Sequence, residues 1–253
     1  MIGLDALAFP AGLVIASLAS TVGIGGGILW MPFFIIIMKL APETAVVTSL
    51  IIQTAGMGSG SVAFVRKRTA DLQLAGFLLL LTLPGLGTGA LLTRLLSAAN
   101  LELALGILTL TTAFLFVSAN QKYADTGKDR IPLKGARRYG WVVSIMAVAS
   151  GMLSVSIGEW LVPLMRNRMQ LRMRAAVATS IVTIFGTCVA GSILHVVLGS
   201  SADLTILAWA MPGVVIGGQI GPRLTERINE RMLKEVFIFL LTLIGIHLIY
   251  NSY

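Results

Sequence analysis

Apolar positions in this chain fall in long unbroken stretches, not at the spacing of half-buried strands or surface helices. Six stretches, 44–65, 72–93, 101–119, 175–198, 203–222 and 232–250, approach the twenty or so residues a helix needs to cross a bilayer. None holds a Lys or Arg near its centre. Two further stretches, 9–38 and 141–165, are interrupted. The first contains "GIGGGILWMP" (23–32), with four glycines in five positions, and the second contains "SVSIGEWLVP" (154–163). Glycine costs about 1 kcal/mol relative to alanine inside a helix, so no continuous helix is expected through residues 23–27.

The pattern repeats. A shift of 131 residues lays "AVVTSL" (45–50) on "AVATSI" (176–181), Gly27 on Gly158, Pro32 on Pro163, and Gly60-Ser61 on Gly191-Ser192. A shift of 128 lays "PGLGTG" (84–89) on "PGVVIG" (212–217). The chain therefore reads as one membrane domain over 1–253. It has a first repeat at 9–119, a basic cytoplasmic linker at 120–140 and a second repeat at 141–251. Transporters are commonly built from such repeats, with the site at their interface.

Composition agrees. Of 253 residues 56% are hydrophobic and 12% charged, and the mean hydropathy is +0.89; soluble domains carry about 25% charged residues. The net charge of +8 lies in short loops, as topology signals facing the cytoplasm do, so it gives no reason to expect nucleic acid. The start, "MIGLDALAFP", lacks the basic region of a cleaved signal peptide. Cys188 is the one cysteine, which excludes an intramolecular disulfide.

Charge also chooses between topologies. If all eight stretches crossed the membrane, Lys and Arg would divide almost evenly between the two sides. If 141–165 enters from the cytoplasm and returns there, the groups at 66–68, 122–138, 166–174 and 223–234 all share that side. Only Lys39 and Arg94 are then left outside. Residues 141–165 are thus expected to form a re-entrant hairpin. By symmetry 9–38 forms another, entering from outside, although no charge precedes it to test this. Each half becomes one re-entrant helical hairpin plus three transmembrane helices. The fold expected is an all-α polytopic membrane protein of two inverted repeats with both termini outside.

Hairpin tips leave backbone amides unpaired at membrane depth, and these survive only when buried in protein or lining a cavity. Two tips meeting at the midplane would aim helix amino ends at one small volume, an anion site without a buried Lys or Arg. Gly23, Gly25, Gly26 and Gly27 form the first tip; Ser154, Ser156 and Gly158 form the second. Thr48, Ser49, Thr179 and Ser180 lie early in the helix after each hairpin, and Gln53 one turn further on. Each of these hydroxyls either joins the site or bonds its own helix carbonyl. Gly85/Gly89 and Gly213/Gly217/Gly221, spaced by four, read as packing stripes. Glu159 is the one carboxylate deep in an apolar stretch; it either carries a coupling proton or caps helix amides. His195 and His247 read as interfacial, and Trp30, Trp141, Trp160 and Trp209 as packing or interface anchors. No metal, cofactor or nucleotide motif is present in the sequence, and no enzymatic activity is expected.

These residues resemble a known family. "GIGGGILWMP", "AVVTSL" and the degenerate second copy are similar to the TauE/SafE (TSUP) family of sulfite exporters and sulfonate permease-like carriers, over essentially the whole chain. The signature falls on Gly23, Gly25, Gly26, Gly27 and Pro32, then on Gly158 and Pro163; the second copy departs from it at Ser154 and Ser156. The resemblance implies a multi-pass bacterial inner-membrane carrier of small sulfur-containing oxyanions or organosulfonates, coupled to an ion gradient. The expectation is a proton-coupled secondary transporter. Its alternatives are a passive anion channel or a carrier of another small anion such as a carboxylate. The partners expected are a small anion and the lipid bilayer, with homo-oligomerisation left open.

Overall fold

A computed structural model describes residues 3–118, 127–224 and 230–251. With no water inside a bilayer, each backbone amide and carbonyl must find a partner within the protein, and these residues are accordingly helical. The helices are α1 (Ala8–Val22), α2 (Gly27–Pro32), α3 (Pro42–Arg66), α4 (Leu72–Leu95), α5 (Ala98–Ser118), α6 (Leu133–Arg137), α7 (Gly140–Leu153), α8 (Gly158–Asn167), α9 (Met173–Val197), α10 (Leu204–Leu224) and α11 (Glu230–Asn251). A 3₁₀ turn (Leu4–Leu7) leads into α1, and a π-helical turn (Phe33–Ile37) prolongs α2. Residue 119, residues 120–126 of the expected linker, including Lys122, and the loop arginine Arg227 lie outside the described residues.

Five helices are long and apolar enough to cross a membrane, and four shorter apolar helices accompany them. The chain is an all-α polytopic membrane protein. The six expected crossings match α3, α4, α5, α9, α10 and α11, and both interrupted stretches are broken where their glycines or serines predict. The two first arms differ in reach. Helix α7 has 14 residues, about 21 Å at 1.5 Å per residue and short of a 30 Å core. Leu4–Val22 has 19 residues and is long enough to cross alone.

Each first arm ends on a left-handed residue. Gly23 has φ 79° and Ser154, its counterpart, φ 55°. The chain then turns back: a Cβ at Gly26 would touch Ile15, which lies well back along α1. The arms of each hairpin separate and pack on other elements. Helix α1 lies along α10 while α2 lies on α3; α7 lies along α4 while α8 lies on α9. Helices α3 and α9 pack together, as do α5 and α11. Each hairpin's first arm therefore packs against a helix of the opposite half.

The glycine stripes make that exchange possible. A Cβ at Gly85 or Gly89 would run into the backbone of Ser144 or Val148 on α7. Gly217 and Gly221 stand in the same relation to Leu13 and Ser17 of α1. Gly85 thus corresponds to Gly217, one helical turn from the register that the Pro84–Pro212 match suggests. Small residues are what allow helix backbones to approach this closely in lipid. Both α4 and α10 run on through their prolines.

A reciprocal pair of hydrogen bonds joins the halves. The Asp203 amide donates to Thr48 Oγ1 at 3.0 Å, and the Asp71 amide donates to Thr179 Oγ1 at 2.9 Å. Each aspartate in turn caps its own helix, Asp71 Oδ1 accepting from Leu74 N and Asp203 Oδ1 from Ile206 N. A hydroxyl of one half therefore anchors the start of α10 or α4 in the other.

Basic groups of both halves collect at one end of the bundle, with Lys39 and Arg94 at the other. Lys128 N donates to Gln170 O at 2.9 Å and Arg172 N to Lys128 O at 2.9 Å, so the chain before the second hairpin meets the chain after it. The Arg172 guanidinium pairs with Asp129 at 3.3 Å. Ile131 N donates to Asp71 Oδ2, and Lys67 Nζ donates to Pro222 O at 3.0 Å. The turns bearing Arg66–Arg68, Arg172–Arg174 and Arg223 are thereby drawn together, as a re-entrant 141–165 requires.

Candidate functional site

The two tips touch at positions related by the repeat. Gly25 N donates to Ser156 Oγ at 2.9 Å, across an interval of 131 residues. A Cβ at Gly25 would fall on the Ser156 side chain. One at Gly27 would fall on the Ser154 carbonyl oxygen, and one at Gly158 would press on the Gly23 carbonyl. The glycines are needed because each tip packs its backbone against the other's.

Ser156 is the centre of this junction. Its Oγ accepts from Gly25 N and from Gly158 N, each at 2.9 Å. With both lone pairs engaged, its own hydrogen is left to donate. Gln53 holds the other side. Its Oε1 accepts from Gly27 N at 3.0 Å. Its Nε2 donates to Ser49 Oγ at 3.0 Å, Ser154 O at 3.1 Å and Ser154 Oγ at 2.9 Å. This network fixes the amide's orientation, because a flipped Gln53 would set a donor against the Gly27 N–H. Ser180 Oγ donates to Gly23 O at 2.8 Å. Ser49, its counterpart, instead accepts from Gln53, so Gln53 is the feature that breaks the symmetry. The position equivalent to Gln53 is Ile184, which packs on Gly158.

Glu159 completes the set. The residue is 2% exposed. Its carboxylate leans toward the Ser156 hydroxyl and its own amide, but neither oxygen makes a hydrogen bond to a described residue. Its counterpart in the first repeat is Ile28, fully buried. The junction thus combines two half-helix amino ends, four hydroxyls, one side-chain amide and one acid.

The sequence candidates divide in place. Gly23, Gly25, Gly27, Ser154, Ser156, Gly158, Ser49, Gln53, Ser180 and Glu159 meet at the junction. Gly26 packs against Ile15 and Trp30. Thr48 and Thr179 point away, to the Asp203 and Asp71 amides. His195 is buried, not interfacial, with Nε2 at 2.7 Å from Gly151 O. Asp71 and Asp203 are additions; the word Ala-Asp-Leu at 70–72 and 202–204 was the available signal. No metal-holding group occurs among the described residues. Trp30 stacks on Phe34 in the core, whereas Trp141 is 69% exposed on the outer face of α7.

A polytopic helical membrane protein with two broken helices meeting in its interior is the architecture of a transport protein. Residues 8–248 match the sulfite exporter TauE/SafE family, to which the chain belongs. It is 24% identical to the probable membrane transporter protein YunE of Bacillus subtilis, over 95% of this chain and 96% of that one. It is likewise 24% identical to the probable membrane transporter protein YjnA of the same organism, over 90% and 94%. A shorter match, 36% identical, covers 36% of this chain and 16% of the probable membrane transporter protein MamO of Paramagnetospirillum magneticum. No solved structure matches the chain.

Proposed function

We propose that this protein is a secondary transporter that carries a small sulfur-containing oxyanion or organosulfonate, together with a proton, through the tip junction. The observation that carries this reading is Glu159, a buried acid whose two oxygens find no partner among the described residues, beside the serine that gathers both tips. An anion entering here meets the Ser156 hydroxyl hydrogen, and by displacing Ser156 Oγ and Gln53 Oε1 it takes over the half-helix amides of Gly25, Gly27 and Gly158 as donors, with no lysine or arginine beside it. A second negative charge a few ångströms away is unfavourable in so dry a place. The anion is therefore admitted when Glu159 is neutral, and proton and anion bind together. The two halves, joined by the exchanged hairpins and the Thr48–Asp203 and Thr179–Asp71 bonds, supply the bodies whose rocking alternates access.

The family and the hydroxyl-rich second tip support a sulfur oxyanion over a carboxylate. The test is uptake of sulfite and thiosulfate into proteoliposomes under a proton gradient, with counterflow in its absence. Both are expected to be saturable, and a Gln53→Ala variant is expected to take up the anion at least tenfold more slowly at low concentration. Uptake without trans-stimulation would point to a channel. Competition only by carboxylates would move the substrate class.

The inverted arrangement and the orientation belong to the same proposal. By the positive-inside rule the clustered arginines support a cytoplasmic location for that end of the bundle, with the repeats inverted, both termini outside, and the protein in the bacterial inner membrane. Cysteines introduced at 67 and 173 are expected to react with an impermeant reagent from the same side only. Labelling from opposite faces would overturn this topology.

A further inference from the structure

Five buried side-chain polar atoms lack a hydrogen-bond partner among the described residues, and four of them belong to the packed helices α8 and α9. They are both carboxylate oxygens of Glu159, Ser192 Oγ and His195 Nδ1; the fifth, Ser20 Oγ, is elsewhere on α1. Buried polar atoms are nearly always satisfied, so such a group calls for internal water. Cys188, Ser192 and His195 recur at steps of four and three along α9 and so share one helix face. Glu159, on α8, lies near enough to Cys188 for its charge to act there, and α8 packs on α9. At the other end, Glu43 at the start of α3 acts electrostatically on His195. Glu43 Oε1 accepts from Ser200 Oγ at 2.7 Å, and Ser200 N donates to His195 O at 3.0 Å. Glu43 is exposed, so these groups run from a sealed carboxylate to solvent.

The titratable groups facing these positions are few. Glu159 is within electrostatic reach of Cys188, and Glu43 within reach of His195. His195 Nε2 is engaged by the Gly151 carbonyl of α7 as a donor, which leaves Nδ1 as an acceptor turned toward the unpartnered stretch. Glu43 begins α3 and Arg66 ends it, so this mouth is at the end opposite the arginine cluster.

We propose that Ser192, His195 and Glu43, bridged by internal water along α9, form the path by which a proton reaches Glu159 from the non-cytoplasmic side. This rests on Glu159 being the proton carrier. A proton taken up at Glu43 passes to His195 Nδ1 while the Nε2 proton stays on Nε2, hydrogen-bonded to the Gly151 carbonyl; Nδ1 then releases its proton through water at Ser192 to a Glu159 oxygen. No bond other than O–H and N–H forms or breaks. The second repeat alone carries this route. The first-repeat positions equivalent to Glu159, Cys188 and Ser192 are Ile28, Met57 and Ser61, and the Ser61 hydroxyl is already bonded to Ile181 O.

The experiment compares Ser192→Leu, His195→Gln and Glu43→Gln with the parent protein in proteoliposomes. Proton-driven uptake started from the Glu43 side is expected to slow at least fivefold in each variant. Anion counterflow at equal pH, which needs no net proton entry, should remain within twofold. His195→Gln retains a donor for Gly151 and Glu43→Gln an acceptor for Ser200, and unchanged melting temperatures would exclude a folding defect. Parent-like proton-driven rates in all three would overturn the path while leaving Glu159 as the carrier. Parent-like coupling in Glu159→Gln would instead overturn the underlying reading. Equal loss of counterflow and proton-driven uptake would show a structural role and also overturn the path.

Discussion

A Gly27→Ala protein is expected to melt well below the parent and to transport nothing. The added Cβ would fall on the Ser154 carbonyl oxygen, and Gln53 Nε2 crowds the same spot at 2.9 Å. Neither neighbour can yield cheaply. Ser154 is the left-handed residue ending α7, and its carbonyl also accepts from Gln53. Overpacking of a buried site costs about 1–3 kcal/mol, and losing the Gly27–Gln53 bond adds about 1 kcal/mol. A drop of about 3 kcal/mol is a large share of a membrane domain's margin. Gly76 and Gly87 are the controls, since a Cβ there meets nothing within 4 Å. Alanine at either should leave melting unchanged or raise it slightly. A Gly27→Ala protein with parental melting and uptake would show that the tips do not dock as described.

The second large effect is at Glu159. Glu159→Gln keeps size and hydrogen-bonding capacity but holds no exchangeable charge. For a monovalent anion moving with one proton, a gradient of two pH units supports about hundredfold accumulation, each tenfold corresponding to about 1.4 kcal/mol. The variant is expected to equilibrate the anion without accumulating it, while counterflow persists. The sign of the pH effect follows. With one proton bound per anion, parental affinity falls about tenfold per pH unit once Glu159 is ionised in the free protein, and the variant's affinity stays flat. Accumulation by the variant equal to the parent's would remove Glu159 from the mechanism.

Much of this was legible in the sequence because lipid permits few backbone arrangements. Apolar length marked the crossings, and glycines at 23–27 marked a break that no bilayer helix would accept. The return of 141–165 was readable from charge alone, and the Lys128–Leu171 contact shows the chain ends meeting. Side-chain direction was less accessible. Thr48 and Ser49 are adjacent in "AVVTSL", yet a helix turns about 100° per residue. Ser49 therefore faces the tips while Thr48 faces Asp203. His195 lies near a helix end, which suggested an interface, but α7 covers it through Gly151. The register of the glycine stripes shifted by one turn because helix contacts, not shared prolines, set which carbonyls the glycines admit.

The docking of Gly25 on Ser156 also gives the second tip's departure from glycine a physical role. At a near-symmetric contact two identical glycines would bring only donors together. Serine on one side supplies an acceptor for both amides and keeps a hydrogen for the acid beside it.

The central claim is that anion and proton bind together at this junction, and proton uptake on anion binding tests it most directly. Purified protein in weakly buffered detergent solution, near the pH where Glu159 is ionised, is mixed with sulfite or thiosulfate while solution pH is followed. After correction for the anion's own buffering, about one proton should be taken up per anion bound by the parent and none by Glu159→Gln. Saturable anion binding with no proton uptake, or with equal uptake by parent and variant, would contradict the account.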